Sequence, residues 1–146
     1  MAVTASLYDH TVRLFADTGG GLDLTDLYVE LLDTGAPFVA SETSMDNVDD
    51  TGTQEVYGNQ WDTGGMLLTA CGVSIVTTND AKLDAADITV TATGGAIGPA
   101  DAAVIYAKTL NKPLVYIDFG EVKTADAGTD FKITWNASGI ITWTYT

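Results

Sequence analysis

The sequence predicts a mainly β domain, an antiparallel β-sandwich of jelly-roll-like or immunoglobulin-like type with one short N-terminal helix. Three observations predict it. Short runs alternate apolar and polar residues, as in "DITVTATG" at 87–94, the period of a half-buried strand. Two other runs, "AAVIYAK" and "PLVYIDFG", are apolar on both faces, which suits strands at the centre of a sheet covered on each side. Asp, Thr, Asn and Gly cluster between the runs as turn residues.

The elements follow in order. Leu7, Tyr8, Thr11, Val12, Leu14 and Phe15 recur at helical spacing, with Ser6 as the expected N-cap, Asp9 completing a weak capping box, and Gly19-Gly20-Gly21 as the stop. Residues 1–6 read as an exposed arm. In "LDLTDLYVELL", Leu27, Val29 and Leu31 alternate with Tyr28 and Glu30, a strand with one apolar face. Residues 40–65 lose all periodicity and predict a long loop with one helical turn around Gln54–Tyr57; loops of this length in a compact domain commonly carry function. After the two wholly apolar strands, "FKITW" and "IITWTY" flank "NASG", which predicts a closing hairpin with Phe131, Ile133 and Trp135 turned to the core.

The chain has 146 residues, 46% of them hydrophobic and 18% charged, enough for one core and one domain spanning 1–146. Its net charge of −14 comes from twenty acidic against six basic residues. No basic stripe is present to neutralise phosphates, so neither nucleic acid nor an anionic membrane is an expected partner. The longest apolar runs, such as Leu114–Ile117, are too short to cross a bilayer. The start "MAVTASLYDH" has neither a basic nor an apolar leader region, and Cys71 is the single cysteine, so a soluble protein made in a cytoplasm without disulfides is expected.

Candidate chemistry is sparse. "LLDTGA" at 31–36 resembles the catalytic loop of retroviral-type aspartic proteases, in which paired Asp carboxylates share a proton. Asp-Thr-Gly, however, also occurs at 17–19 and 62–64 in unrelated surroundings. No apolar-apolar-Gly-Arg-Asn/Asp segment follows to brace the loop, so Asp33 reads as a turn residue. His10 is the sole histidine, a poor basis for a catalytic relay or a zinc site. "DNVDD" at 46–50 offers carboxylates to a hard cation, but the Gly and closing Glu of an EF-hand are out of register, and a solvated acidic loop is expected. Asn136-Ala137-Ser138 matches a glycosylation acceptor and reads as a turn. No catalytic residue, metal or cofactor is assigned. Trp61, Trp135 and Trp143 have rings suited to stacking on sugars, which keeps a carbohydrate-binding β-sandwich module as an alternative.

The segments "LYDHTVRLFADTGGGLDL", "LYVELLDTG", "EVYGNQWDTGG", "ITVTATGGAIGPADAAVIY", "KPLVYIDFGE" and "TDFKITWNASGIITWT", taken in order from Leu7 to Thr144, resemble a family of small structural proteins of tailed bacteriophage virions. The resemblance implies a non-enzymatic cement or decoration protein on the outer surface of the capsid, made in the bacterial cytoplasm. It would bind the phage major capsid protein and act as a homo-oligomer, a trimer being one option. A tail, baseplate or fibre location is the alternative within the same class. Candidate interface residues are Met1, Ala2, Val3 and Thr4 of the arm, Trp61 in the long loop, and Trp143 and Tyr145 near the C-terminus.

Overall fold

The computed structural model describes residues 3–17, 21–77 and 80–144. In chain order its elements are β1 (Thr4–Leu7), α1 (Thr11–Ala16), β2 (Leu27–Leu32), α2 (Met45–Val48), β3 (Glu55–Val56), β4 (Met66–Leu67), β5 (Gly72–Thr77), β6 (Asp80–Asp84), β7 (Ile88–Thr91), β8 (Ile97–Ala107), β9 (Lys112–Ala125), β10 (Asp130–Ile133) and β11 (Ile141–Thr144). The fold is mainly β and every strand pair is antiparallel, as the alternation predicts.

The largest sheet runs β1-β9-β8-β2, and the far side of β2 is shared by β3, opposite Leu31 and Leu32, and β4, opposite Tyr28 and Val29. Two small sheets, β7-β10 and β5-β6-β11, complete the strands. One face of the large sheet carries Leu27, Val29 and Leu31 of β2, Ala103 and Ile105 of β8, and Val115, Ile117 and Phe119 of β9. These join one core with Trp61 and with Leu83, Ile88, Val90, Phe131, Ile133 and Ile141 from the small sheets, a sandwich-like packing. The opposite face carries Leu32, Ala102, Val104, Tyr106 and Tyr116, packed under Tyr8, Ala36, Met45 and Val48. β8 and β9 are therefore buried on both sides, as their apolar runs predict.

Close approach sets one position in the loop before β4. Gly65 has φ +80°, and a Cβ there would sit 2.3 Å from the Val29 carbonyl oxygen, so only glycine lets this chain lie against β2.

Several expectations change. The arm is not free: Thr4–Leu7 pairs with Val115–Asp118, because an unpaired sheet edge offers backbone hydrogen bonds that a short isolated helix cannot match. The helix is accordingly cut to Thr11–Ala16, with His10 rather than Ser6 at its N-cap. Gly21 lies beyond it, and Gly19 and Gly20 fall outside the described residues. The helical turn of the long loop lies at Met45–Val48, capped by the Ser44 side chain, whereas Glu55–Val56 is a strand. The C-terminal hairpin does not form: β10 pairs with β7 and β11 with β6, and 136–139 is a turn between two sheets, closed by Gly139 N–H donating to the Asn136 carbonyl at 2.8 Å. Trp135 lies past the end of β10 and is half-buried.

Trp61 is 1% exposed and meets Phe131 edge to face, with ring centroids 5.4 Å apart. Trp61→Ala should therefore cost about 3–5 kcal/mol, the usual range for deleting a buried large aromatic. Chemical denaturation is the measurement, with Trp135→Ala expected to cost clearly less.

Candidate functional site

A cleft of about 770 Å³ opens where the large sheet and the β7-β10 sheet part. Its floor is apolar, built from Val115, Ile117 and Phe119 of β9 and from Phe131 and Ile133 of β10. These side chains point inward because each strand alternates, and Asp130 and Lys132 fall on the outer side of β10. β1 and β10 are terminal strands of their sheets, so two open backbone edges flank the cleft. Val3, which is 60% exposed, and Ala5 line one side, and Trp135 and Ile140 line the other. The Trp135 ring is held by Nε1–H donating to the Ala86 carbonyl at 3.0 Å, and its backbone N–H donates to Asp87 at 2.9 Å. The basic groups at the rim are neutralised locally: Lys132 reaches Asp130 at 3.4 Å, and Lys123 pairs with Glu121. The cleft has the size of a binding site, with an apolar floor and a polar rim, and suits an extended chain or a ring-bearing ligand.

A second surface lies on the small sheet. Val73, Ile75 and Val76 of β5 are 50, 84 and 51% exposed. Val73 and Ile75 pair across to Leu83 and Ala81, which pair in turn to Ile141 and Trp143, so these six side chains share one face of the sheet. α1 covers part of that face: Phe15 meets Trp143 at 5.0 Å between ring centroids, and Val12 lies beside them, 55% exposed.

A cluster of acids is buried between β2 and the long loop. Glu30 is 3% exposed although it occupies a polar position of the alternating strand, because the loop folds over that face. It meets Asp49, at the end of α2, and Glu55 of β3. Glu55 accepts a hydrogen bond from Gly64 N–H, and the Tyr106 hydroxyl donates to the Gly64 carbonyl at 2.6 Å. Lys108 lies over the Tyr28 ring at 4.1 Å and attracts the Glu30 charge. One oxygen each of Glu30 and Asp49 has no donor. Burial, reinforced by Glu55 and by Asp49, pushes the Glu30 carboxyl up to about 8, and burial also raises Glu55 and the Tyr106 hydroxyl. The neutral form of Glu30 is therefore favoured well above the ordinary carboxylate range, and its contact with Asp49 adds to this. Asp49 is thus not part of a solvated loop, whereas Asp46 and Asp50 are exposed. Among the described residues no group of three or more His, Cys, Asp or Glu side chains is arranged to hold a metal ion.

The candidate interface residues separate. Val3, just before β1, lines the cleft, Thr4 opens β1, Trp143 lies on the β5-side surface, and Met1, Ala2 and Tyr145 are outside the described residues. Trp61 is withdrawn as an interface residue: it packs in the core because the loop carrying it closes over the sheet. Phe119 and the exposed β5 edge were missed. Phe119 is hidden inside a uniformly apolar run, while Val73, Ile75 and Val76 have a β-branched composition that could have signalled a strand. Asp33 is a turn residue as read: its side-chain oxygen accepts Gly35 N–H at 2.7 Å. His10 Nε2–H donates to the Pro113 carbonyl at 2.7 Å, tying the N-terminus of α1 to β9. Burial, then Asp84, pushes the Cys71 thiol up and lowers its nucleophilicity. No helix among the described residues is long and apolar enough to cross a membrane.

No protein-family model, curated protein or solved structure matches the chain.

Two outcomes follow from this geometry. Glu30 binds its proton more tightly in the folded state than at its ordinary value of 4.5, so its contribution is complete below pH 4.5, is lost as pH rises toward about 8, and is constant above. Over that window Glu30 alone sets a slope of at most about 1.4 kcal/mol per pH unit. Glu30→Gln should flatten most of the decline in melting temperature between pH 5 and 8, leaving a residue from Glu55; an unchanged profile would remove Glu30 as its source. Asp33→Asn should change stability by no more than about 0.5 kcal/mol, since Asn offers the same side-chain acceptor to Gly35. A larger shift in denaturant midpoint would assign Asp33 more than a turn.

Proposed function

We propose that this protein is a non-enzymatic structural component of a tailed-phage virion, a cement protein that binds the outer surface of the capsid shell and stabilises the head. The family resemblance supplies the context, and the observation that supports binding is the apolar cleft between two open sheet edges. An extended segment of the major capsid protein would lie along β1 or β10, taking backbone hydrogen bonds from the edge and placing alternate side chains on Phe119, Phe131 and Ile133. Such a brace acts by mass action: it binds the assembled shell and not its separated parts, and many copies add their effect. The acidic surface would keep free copies soluble before docking.

Trp135 at the cleft supports a second reading, a carbohydrate-binding module in which the indole stacks on a sugar ring beside Asn136 and Lys132. A tail, baseplate or fibre position would use the same cleft on a different virion partner.

Adding the purified protein to bare heads tests the main reading. Full-length protein should bind in many copies and delay DNA release on heating. Ala5→Arg, at an exposed position lining the cleft, should lower binding about tenfold or more without changing the melting of the isolated domain. Equal DNA release with and without bound protein would refute the cement role, and retention on a glycan array abolished by Trp135→Ala would favour the module.

A further inference from the structure

We infer that residues 49–56 are a pH-operated clasp on the edge of β2, closed while Glu30 is neutral and opening locally, with the sandwich intact, when Glu30 ionises. The clasp hangs between two apolar anchors, Val48 at 2% and Trp61 at 1% exposure, each packed in a different core. Between the anchors Asp49 alone is buried, and the apolar contribution is limited to Val56, half-buried against the core that holds Trp61. The other fastenings are polar and few. Asp33 N–H donates to the Gln54 carbonyl at 3.0 Å, Gln54 Nε2–H to the Gly35 carbonyl at 2.7 Å and Gly64 N–H to Glu55, and β3 opposes two residues of β2. Segments with so little buried apolar contact open without global unfolding. Asp50 and Thr51 also stand at φ 50° and 59°, left-handed conformations that a non-glycine residue keeps only while its surroundings impose them.

The groups beneath the clasp set when it opens. Glu30 belongs to the sheet, opposite Val104 on the face away from the cleft, whereas Asp49 and Glu55 belong to the clasp. Ionisation of Glu30 therefore sets a carboxylate against two that the clasp carries. No donor reaches Glu30 Oε1 or Asp49 Oδ1. Of the other groups facing the cluster, the Tyr106 hydroxyl is committed to the Gly64 carbonyl, and Lys108, over the Tyr28 ring, attracts Glu30 from an exposed position where water weakens its pull. Parting clasp from sheet both rehydrates Glu30 and moves two negative charges away from it. In the open state Glu30 regains its ordinary value of 4.5, against about 8 when closed, so the ratio of open to closed rises with pH between those values and is constant outside them. Opening would free the edge of β2 at Leu31 and Leu32. The inference requires no capsid and is independent of the decoration reading.

Hydrogen exchange of the full chain, followed amide by amide by nuclear magnetic resonance from pH 5 to 9 and corrected for the intrinsic rate, tests it. Protection of the Asp33, Gln54 and Gly64 amides should fall by up to about tenfold per pH unit as far as pH 8. At every pH these amides should exchange roughly a hundredfold or more faster than those of Val104 and Ile105 in β8, which open only with the whole domain. Glu30→Gln should abolish most of the fall. Lys108→Gln, which removes the attracting charge and leaves the acids in place, should extend the fall above pH 8. Protection of the three amides that does not change with pH, protection equal to that of β8, or a fall that survives Glu30→Gln and is not extended by Lys108→Gln would overturn the inference.

Discussion

The need to cover both faces of β8 and β9 governs the rest of this molecule. From Ala102 to Ala107 and from Pro113 to Ile117 every residue is buried, so neither face of the two strands meets water. Two different solutions are used. On one side small sheets and Trp61 close over the apolar row, and on the other the chain from Ala36 to Val48 lies across Val104 and Tyr116, anchored by the Tyr116 hydroxyl donating to the Ala36 carbonyl at 2.8 Å. The segment that looks least structured in the sequence is thus an obligatory lid, and its lack of period follows from its work. A lid must contribute scattered apolar anchors such as Phe38, Met45 and Val48, not a regular stripe.

The same lid explains why an acid sits in the interior. Glu30 lies at a strand position that would face water in a one-sided sheet, and the loop places Asp49 and Glu55 against it. Protonation lowers the cost of burying the Glu30 carboxyl beside Asp49 and Glu55, and Lys108 opposes part of the upward shift. The result is a polar joint between sheet and lid whose strength depends on protonation, chiefly of Glu30. It contrasts with the outer surface, where Asp23, Glu121 and Asp130 are exposed and held below their ordinary range by neighbouring Thr25, Lys123 and Thr91.

What the sequence disclosed follows from how local each signal is. The strands Leu27–Leu32 and Ile88–Thr91 were legible because a period of two survives in a short window, and the doubly buried β8 and β9 because their apolar runs are continuous. The turn role of Asp33 was legible from its repeated tripeptide. Pairings were not legible. Nothing within 129–144 reveals that β10 joins β7 and β11 joins β6, since the nearest partner in sequence is the natural expectation and the sandwich rewards the distant one. The end of the arm was misread because Leu7 and Tyr8 fit a helical pattern equally well, and only the open edge of β9 decides between the two. Of the candidate interface, the cleft position of Val3, read from the sequence as part of an exposed arm, acquires meaning only in three dimensions, as do Phe119 and Ile75.

The order of strands in the large sheet has a consequence during synthesis. β1 and β2 are made first, yet β1 pairs with β9, and β2 pairs along its whole length with β8, which begins at Ile97. In synthesis from the N-terminal side, β1 and β2 are therefore without their main partners until β8 and β9, residues 97–125, have emerged. The β8–β9 hairpin, closed locally through Asn111 N–H donating to the Lys108 carbonyl at 3.1 Å, is then the first large unit able to form. It follows β1 and β2 and recruits what came before, so the large sheet closes only once both β8 and β9 are available.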